Sequence, residues 1–98
     1  MITVERTYDL QPVNLFTPNG DGVNEVFWVK NMELYDDCTL KVYNRWGNEV
    51  YSANPYLNDW DGTFNGNRLP EATYYYRIEC DGRKNPFEGT VTILRMDK

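Results

Sequence analysis

Residues 39–52, TLKVYNRWGNEVYS, decide the fold of this chain because they read as two extended segments joined by a tight turn. Leu40 and Val42 alternate with polar or amphipathic neighbours, which is the period of two that a strand with one buried face shows. The turn is predicted at residues 45–48, since glycine and asparagine tolerate positive φ. A two-residue loop would place Val42 and Val50 on opposite faces, so we expect an odd-length loop or a β-bulge that returns them to one face.

Two tryptophans are expected to fix this hairpin against the rest of the domain. Trp46 lies in the turn, and Trp60 lies in the long irregular segment of residues 54–70. Large aromatic side chains dominate the energetics of protein cores. The same segment carries further large apolar groups, so it is predicted to pack down on the domain rather than to be mobile. Those groups are Tyr56, Leu57 and Phe64.

Strand-like patterns recur along the rest of the chain. They predict strands over residues 26–30, 73–80 and 89–95, the first with apolar side chains on both faces and therefore covered on both sides. Residues 2–10 fit either an entering strand or the end of a linker. Residues 15–22 are expected to form a structured loop, because proline and glycine interrupt any regular element there. The expected fold class is all-β: an immunoglobulin-like antiparallel β-sandwich of about seven strands.

The composition limits the possible roles of the chain. At 98 residues it is one domain, and an aromatic content of 15% favours strands. The net charge of −5 argues against binding to nucleic acid or to an anionic membrane surface. The longest apolar run is residues 26–29, whereas a membrane-spanning helix needs about 20 residues. Residues 1–10 contain no apolar signal core, so the chain is either cytosolic or a piece of a longer exported protein.

The two cysteines bear on that choice. Cys38 has the parity of Leu40 and Cys80 has the parity of Ile78, so both side chains are expected on the apolar faces of their strands. One interpretation is two free core cysteines. The other, which we favour, is a disulfide bond that closes a loop of about 43 residues and contributes roughly 4 kcal/mol to stability. A disulfide would imply an oxidising setting outside the cytoplasm.

The residues needed for common catalytic sites are missing. The chain contains no histidine, and Ser52 is its single serine, so a Ser-His-Asp or Cys-His arrangement is excluded. Two cysteines alone cannot complete a tetrahedral zinc shell, and no phosphate-binding glycine loop occurs. Asp59 and Asp61 could form a glycosidase pair only in a deep cleft, which so small a sandwich rarely offers. We therefore predict neither an enzyme nor a cofactor.

Two acidic loops admit a calcium interpretation. Residues 19–25 and residues 59–66 are rich in oxygen ligands of the kind that calcium prefers. If Asp61 takes position 1 of an EF-hand loop, position 12 is Ala72, where a bidentate glutamate is required. The first loop has Asn24 at the position where an EF-hand loop needs its glycine. Aspartate, asparagine and glycine are also the ordinary residues of turns. We prefer the turn interpretation and predict no metal.

Several motifs occur in an order that is more specific than any one of them. They are FTPNGDGVNE at 16–25, LKVYNRWG at 40–47, WDGT at 60–63, TYYY at 73–76 and GTVTILR at 89–95. In this order the chain resembles the gliding motility-associated C-terminal domain family, the type B C-terminal signal of the type IX secretion system. The resemblance runs from about residue 14 to residue 95. One departure is Glu71-Ala72, where the family commonly has a glycine before the TYYY strand.

This resemblance implies a non-catalytic sorting domain at the end of a large exported protein, often an adhesin. The domain would direct its cargo through the outer-membrane translocon to the cell surface. The implied partners are the type IX secretion translocon and an outer-membrane protein of the PorP/SprF type, met by a monomeric domain that is not inserted in the membrane. An N-terminal export signal would then lie at the far end of the full-length chain.

Partner recognition is predicted at residues that the fold itself does not obviously require. The candidate residues lie in two loops and are Asn19, Gly20, Asp21, Gly22, Arg45, Trp46, Gly47 and Asn48. The structural alternative is that Trp46 plugs the end of the sandwich and that Arg45 pairs with Asp59 or Asp61. A different function also stays open, that of an adhesive or carbohydrate-binding module, for which Trp28 and Tyr75 are candidate exposed aromatics.

Overall fold

The computed structural model describes residues 10–20, 22–82 and 85–95, and within them the chain is all-β with one short helical turn. The expected fold class is confirmed, with nine strands rather than about seven. The helical turn among these residues is a 3₁₀ turn that spans Met32–Leu34. The strands are β1 Gln11–Pro12, β2 Leu15–Phe16, β3 Val29–Lys30, β4 Cys38–Tyr43, β5 Glu49–Ala53, β6 Thr63–Phe64, β7 Asn67–Arg68, β8 Ala72–Cys80 and β9 Phe87–Ile93. The strand or linker anticipated at residues 2–10 falls outside the described residues, apart from the buried Leu10.

The strands form a main sheet of five in the order β2-β9-β8-β4-β5, together with a β1–β3 ribbon and a small β6–β7 hairpin. All pairings in the main sheet are antiparallel except that of β2 with β9, which is parallel. The core lies between the main sheet and the chain around β3, where the ring of Phe27 lies 5.2 Å from that of Tyr76 on β8. This layered arrangement is a β-sandwich in which one edge pairing is parallel.

The β4–β5 hairpin contains the expected β-bulge. Val42 pairs with Tyr51, but its neighbour Tyr43 pairs with Glu49, so Val50 is the extra residue of β5. As a result Val42 and Val50 are both buried in the core. The bulge thus resolves the parity conflict that the sequence shows.

Trp60 and Trp46 behave differently, and the prediction that both anchor the hairpin is right only for Trp60. The ring of Trp60 is buried, stacks on Tyr51 at 5.3 Å and meets Phe16 edge-on at 5.4 Å. Its indole Nε1–H donates to the carbonyl oxygen of Thr63 at 3.0 Å, so the one polar atom of the ring is satisfied. Trp46 is 72% exposed, because it lies in the turn beyond the end of β4.

The segment of residues 54–70 is packed down only in part. Tyr56 and Trp60 are buried, whereas Leu57 and Phe64 are exposed. Residues 63–68 form the β6–β7 hairpin rather than an irregular loop. The hydroxyl of Tyr56 donates to the carbonyl oxygen of Phe27 at 2.7 Å and accepts from the amide of Trp60 at 3.0 Å. The two deeply buried side chains therefore hold this segment against the core.

Two predictions for the N-terminal third need correction. Residues 15–22 do not form a loop throughout, because Leu15–Phe16 is strand β2. In residues 26–30 only Val29–Lys30 belongs to a ladder, and Trp28 is 50% exposed, so the expected cover on both sides is wrong. Only the face of Phe27 and Val29 is covered, since both side chains are fully buried.

The long strands β8 and β9 follow the predicted alternation. Tyr74 and Ile78 of β8 and Val91 and Ile93 of β9 are buried. Ala72 opens β8 with no positive φ, so the missing family glycine causes no backbone strain here. In the structure Cys80, at the end of β8, lies opposite Cys38 of β4, and the two are joined by a disulfide bond.

Candidate recognition surface

The ends of four strands of the main sheet meet at one pole of the domain. Ala72, which begins β8, pairs with Ile93, which ends β9, and Phe16, which ends β2, pairs with the same Ile93. Tyr43, which ends β4, lies opposite β8 near the same point. We call this pole the loop end. It gathers three connections, namely residues 17–26, residues 44–48 and residues 61–71.

The guanidinium of Arg95 ties these connections together. Nε and Nη2 donate to the carbonyl oxygen of Leu69 at 3.0 and 2.7 Å, and Nη2 also donates to that of Gly62 at 3.0 Å. Nη1 reaches the carbonyl oxygen of Pro18 at 3.5 Å. Arg95 is only 8% exposed, so these bonds replace the water that a buried cation loses. Sequence reasoning assigned Arg95 no role beyond ending a motif.

Position 62 requires glycine because it lies against Ile93 and the Arg95 guanidinium, here called the Arg95 cluster. Its φ is +83°, and a Cβ at this position would lie 3.3 Å from Cδ1 of Ile93 and 3.4 Å from Nη2 of Arg95. The glycine of the WDGT motif is therefore required both by backbone conformation and by the close approach of Arg95. This explains why the motif and the arginine occur together in one sequence.

The loop of residues 17–26 is closed by the carboxylate of Glu25. It accepts from the amide of Gly20 at 3.0 Å and from that of Gly22 at 2.6 Å, and both glycines have positive φ. At the base of the loop, the amide of Thr17 donates to the carbonyl oxygen of Asn24 at 2.7 Å. Gly20 and Gly22 are exposed and Asn19 is half-buried, while Asp21 lies outside the described residues.

Oxygen atoms in both calcium candidate loops are engaged in turn contacts. Glu25 binds backbone amides as described, and Asp61 accepts from the hydroxyl of Thr63 at 2.7 Å. Asn65 and Gly66 have positive φ in the β6–β7 turn, which is the role expected of turn residues. These contacts support the turn interpretation of both loops.

The hairpin turn is organised by a residue just outside the predicted quartet. The side-chain oxygen of Asn44 accepts from the amides of Trp46 and Asn48, each at 3.0 Å. The backbone of Asn44 also donates to the carbonyl oxygen of Asn48 at 2.9 Å and accepts from Gly47 at 2.9 Å. An asparagine whose side chain binds the backbone two residues ahead is a recognised turn signal, so Asn44 could have been identified from the sequence.

Arg45 and Trp46 form an exposed pair on this rigid turn. The guanidinium carbon of Arg45 lies 4.4 Å from the centroid of the Trp46 ring, a cation–π contact worth about 0.5–1 kcal/mol at exposed sites. The alternative that Trp46 plugs the sandwich is wrong, since its ring is exposed. The alternative that Arg45 pairs with Asp59 or Asp61 also fails, because both salt bridges found among the described residues belong to Arg77.

Buried tyrosines surround the core without providing acid–base groups. Desolvation raises the pKa of Tyr56, Tyr74 and Tyr76, and desolvation followed by the charges of Asp59 and Asp61 raises the pKa of Tyr51. Because an unperturbed tyrosine already titrates near 10, these hydroxyls stay protonated at neutral pH. The hydroxyls of Tyr56 and Tyr74 instead act as hydrogen-bond groups of the fold.

Comparison with known proteins places the chain in a family. The described part of the chain holds no helix that is long and apolar enough to cross a membrane. No curated protein and no solved structure matches the chain. The family model described as the CHU_C type IX secretion signal domain matches residues 10–93, which confirms the resemblance that the motifs indicate. The chain therefore belongs to the family of type IX secretion signal domains.

Proposed function

We propose that the loop end is the surface through which the type IX secretion machinery recognises this domain. Membership of the family gives the chain the role of a secretion signal, which implies export across the outer membrane. The proposed partners are the translocon and an outer-membrane protein of the PorP/SprF type. The domain would act as a monomeric, non-catalytic C-terminal signal that carries a large attached cargo to the cell surface.

The observation that carries this proposal is the exposure of Trp46 and Arg45 on a turn that the fold holds rigid. An exposed tryptophan adds little to the core, and tryptophan and arginine are the residues most enriched among interface hot spots. The loop of residues 17–26 lies at the same pole, and Arg95 links Pro18 of this loop to Leu69 in the segment before β8. A partner could thus contact both candidate loops at once.

The test fuses the chain behind an unrelated passenger that carries its own inner-membrane export signal, in a bacterium with a type IX system. We expect Arg45→Ala and Trp46→Ala to lower export of the passenger while the melting temperature of the chain changes little. Arg77→Ala and Leu57→Ala are controls, because Arg77 and Leu57 are also exposed. Leu57 lies next to Tyr56, whose amide donates to the carbonyl oxygen of Cys38 at the other end of β4 from the loop end. Export that survives both loop-end substitutions, or equal losses in the controls, would contradict the proposal.

A second candidate function is an adhesive or carbohydrate-binding module. Tyr75 is 51% exposed and lies directly opposite Tyr43 on the outward side of the main sheet, next to Arg77. Exposed aromatic rings with polar neighbours suit stacking against a sugar ring. The passenger fusion separates the two functions, since an adhesive module alone would not export the passenger.

A further inference from the structure

We propose that a groove at the loop end binds an extended segment of a partner protein that presents an apolar side chain followed by an acidic one. The groove, here called the turn groove, lies between the hairpin turn and the chain leading into β8. Its volume is about 290 Å³, and it is lined by Asn44, Arg45, Trp46, Val50 and residues 69–74. This inference rests on the proposed function and names the chemistry of the partner at that surface.

The size and lining of the turn groove select an apolar side chain. Small-molecule sites usually measure about 300–1,000 Å³, so this groove accepts one or two side chains and not a larger body. The hairpin contributes Val50 and the ring of Trp46, and the opposite wall contributes Leu69, Pro70 and Ala72. An aliphatic or aromatic side chain would shield these groups from water.

The charge at the rim selects the acidic neighbour. Arg45 and Glu71 both line the groove. The carboxylate of Glu71 keeps its negative charge, but it accepts from the backbone amide of Arg95 at 3.0 Å, so the fold fixes its position. The guanidinium of Arg45 contacts the Trp46 ring and takes part in neither salt bridge of the described chain, both of which belong to Arg77. A guanidinium can hold a carboxylate with paired hydrogen bonds, so Arg45 offers the donors that an acidic side chain of a partner needs.

Both walls of the turn groove are held in place before any partner arrives. Asn44 fixes the backbone of Trp46 and Asn48. On the other wall, the hydroxyl of Tyr74 donates to the carbonyl oxygen of Pro70 at 2.8 Å, and Arg95 holds that of Leu69. Preorganised walls lower the entropy cost of binding a flexible segment.

The test is an NMR titration of the 98-residue chain with three capped dipeptides, acetyl-Phe-Glu-amide, acetyl-Phe-Gln-amide and acetyl-Ala-Glu-amide. We expect shifts of the Trp46 indole N–H and of the Ala72 and Thr73 amides. The Phe-Glu probe should bind about threefold more tightly than the Phe-Gln probe, as expected of one exposed ion pair. The Ala-Glu probe should bind most weakly, because it cannot fill the groove.

Substitutions in the chain show which residue causes the preference for an acidic side chain and which causes the binding of the apolar one. Arg45→Ala should abolish the preference for Glu over Gln while leaving the phenylalanine-dependent shifts, and Arg45→Lys should retain part of that preference. Trp46→Ala should weaken all three probes, and Arg77→Ala, an exposed control on the outward face of the sheet, should change none of them. Equal binding of the Glu and Gln probes, or shifts located away from the turn groove, would overturn the proposal.

The two proposals can fail separately. If the probes behave as expected but export survives both Arg45→Ala and Trp46→Ala, the turn groove binds such a segment and the proposed function of the loop end is wrong. If export falls in Arg45→Ala but the probes show no preference, the loop end is the recognition surface and the inferred partner chemistry is wrong.

Discussion

Arg95 donates a hydrogen bond to the carbonyl oxygen of Pro18, a residue 77 positions earlier in the chain. The same guanidinium also holds the carbonyl oxygens of Gly62 and Leu69. One side chain after β9 therefore fixes the relative positions of the FTPNGDGVNE motif, the WDGT motif and the segment that leads into β8. Three of the motifs that identify the family, at residues 16–25, 60–63 and 89–95, thus meet in space around this arginine.

Replacing Arg95 by alanine should lower the free energy of unfolding by about 3 kcal/mol, because buried carbonyl groups lose a charged donor. Arg95→Lys should recover only part of the loss, since an ammonium group cannot reach carbonyls in several directions at once. Chemical denaturation monitored by tryptophan fluorescence provides the measurement. Arg77→Ala is the control and should cost less than about 1 kcal/mol, as surface ion pairs do. A similar cost for both arginines would show that the Arg95 contacts add little.

Gly62 and Gly47 allow the cost of backbone strain to be separated from the cost of crowding an added methyl group. Their φ values are +83° and +85°, but only Gly62 has atoms close to the position of an added Cβ. Gly47→Ala should therefore cost about 1 kcal/mol from backbone strain alone. Gly62→Ala should cost about 2–3 kcal/mol, because the added methyl group would lie 3.3 Å from Cδ1 of Ile93 and 3.4 Å from Nη2 of Arg95, and these side chains must yield slightly. Thermal denaturation of both variants tests the difference, and equal costs would contradict this account of the Arg95 cluster.

The buried tyrosines predict a loss of stability in alkali. Burial raises the pKa of Tyr56 above the value near 10 that it has in the unfolded chain. Above that unfolded pKa, the unfolded chain releases a proton that the folded chain retains, so stability falls as the pH rises through this window. Denaturation midpoints measured from pH 8 to about 11 should decline above pH 10. Tyr56→Phe should be less stable at neutral pH and should show a shallower decline; an unchanged slope would contradict the assignment.

The disulfide predicts a large effect of reduction. Native and denatured chain without reductant should both show no free thiol, since Cys38 and Cys80 are bonded to each other. Reduction, or the double change Cys38→Ser and Cys80→Ser, should lower stability by roughly 4 kcal/mol. Two titratable thiols in the denatured, unreduced chain would contradict the bond. Cys38 begins β4 and Cys80 ends β8, so the disulfide lies at the opposite end of these strands from the loop end. The turn groove should therefore still bind its probes in any reduced chain that stays folded.

Much of the fold could be predicted because the strands follow from a local alternation of apolar and polar side chains. The parity of Val42 and Val50 requires either an odd-length loop or a bulge, and the structure shows a bulge at Val50. The strands β1, β2 and β3 span two residues each, which is too short for a periodic signal. The parallel pairing of β2 with β9 joins residues that are far apart in the chain, and no local pattern encodes it.

The candidate site was predictable only in its loops. Glycine and asparagine mark the turns, but the exposure of Trp46 depends on how far the hairpin projects beyond the sheet. The role of Arg95 depends on carbonyl groups of Pro18, Gly62 and Leu69 that meet only after folding. An arginine at the end of an alternating strand reads as an ordinary exposed residue, so the sequence alone did not reveal this contact.

The parallel pairing of β2 with β9 also sets the polarity of the domain. Strand β2 runs towards the loop end, because Phe16 pairs with the last residue of β9 there. The chain enters β2 from the side nearer the disulfide, so residues 10–14 approach the domain from the pole opposite the loop end. A passenger joined ahead of these residues would therefore be tethered on the far side of the domain from the proposed recognition loops.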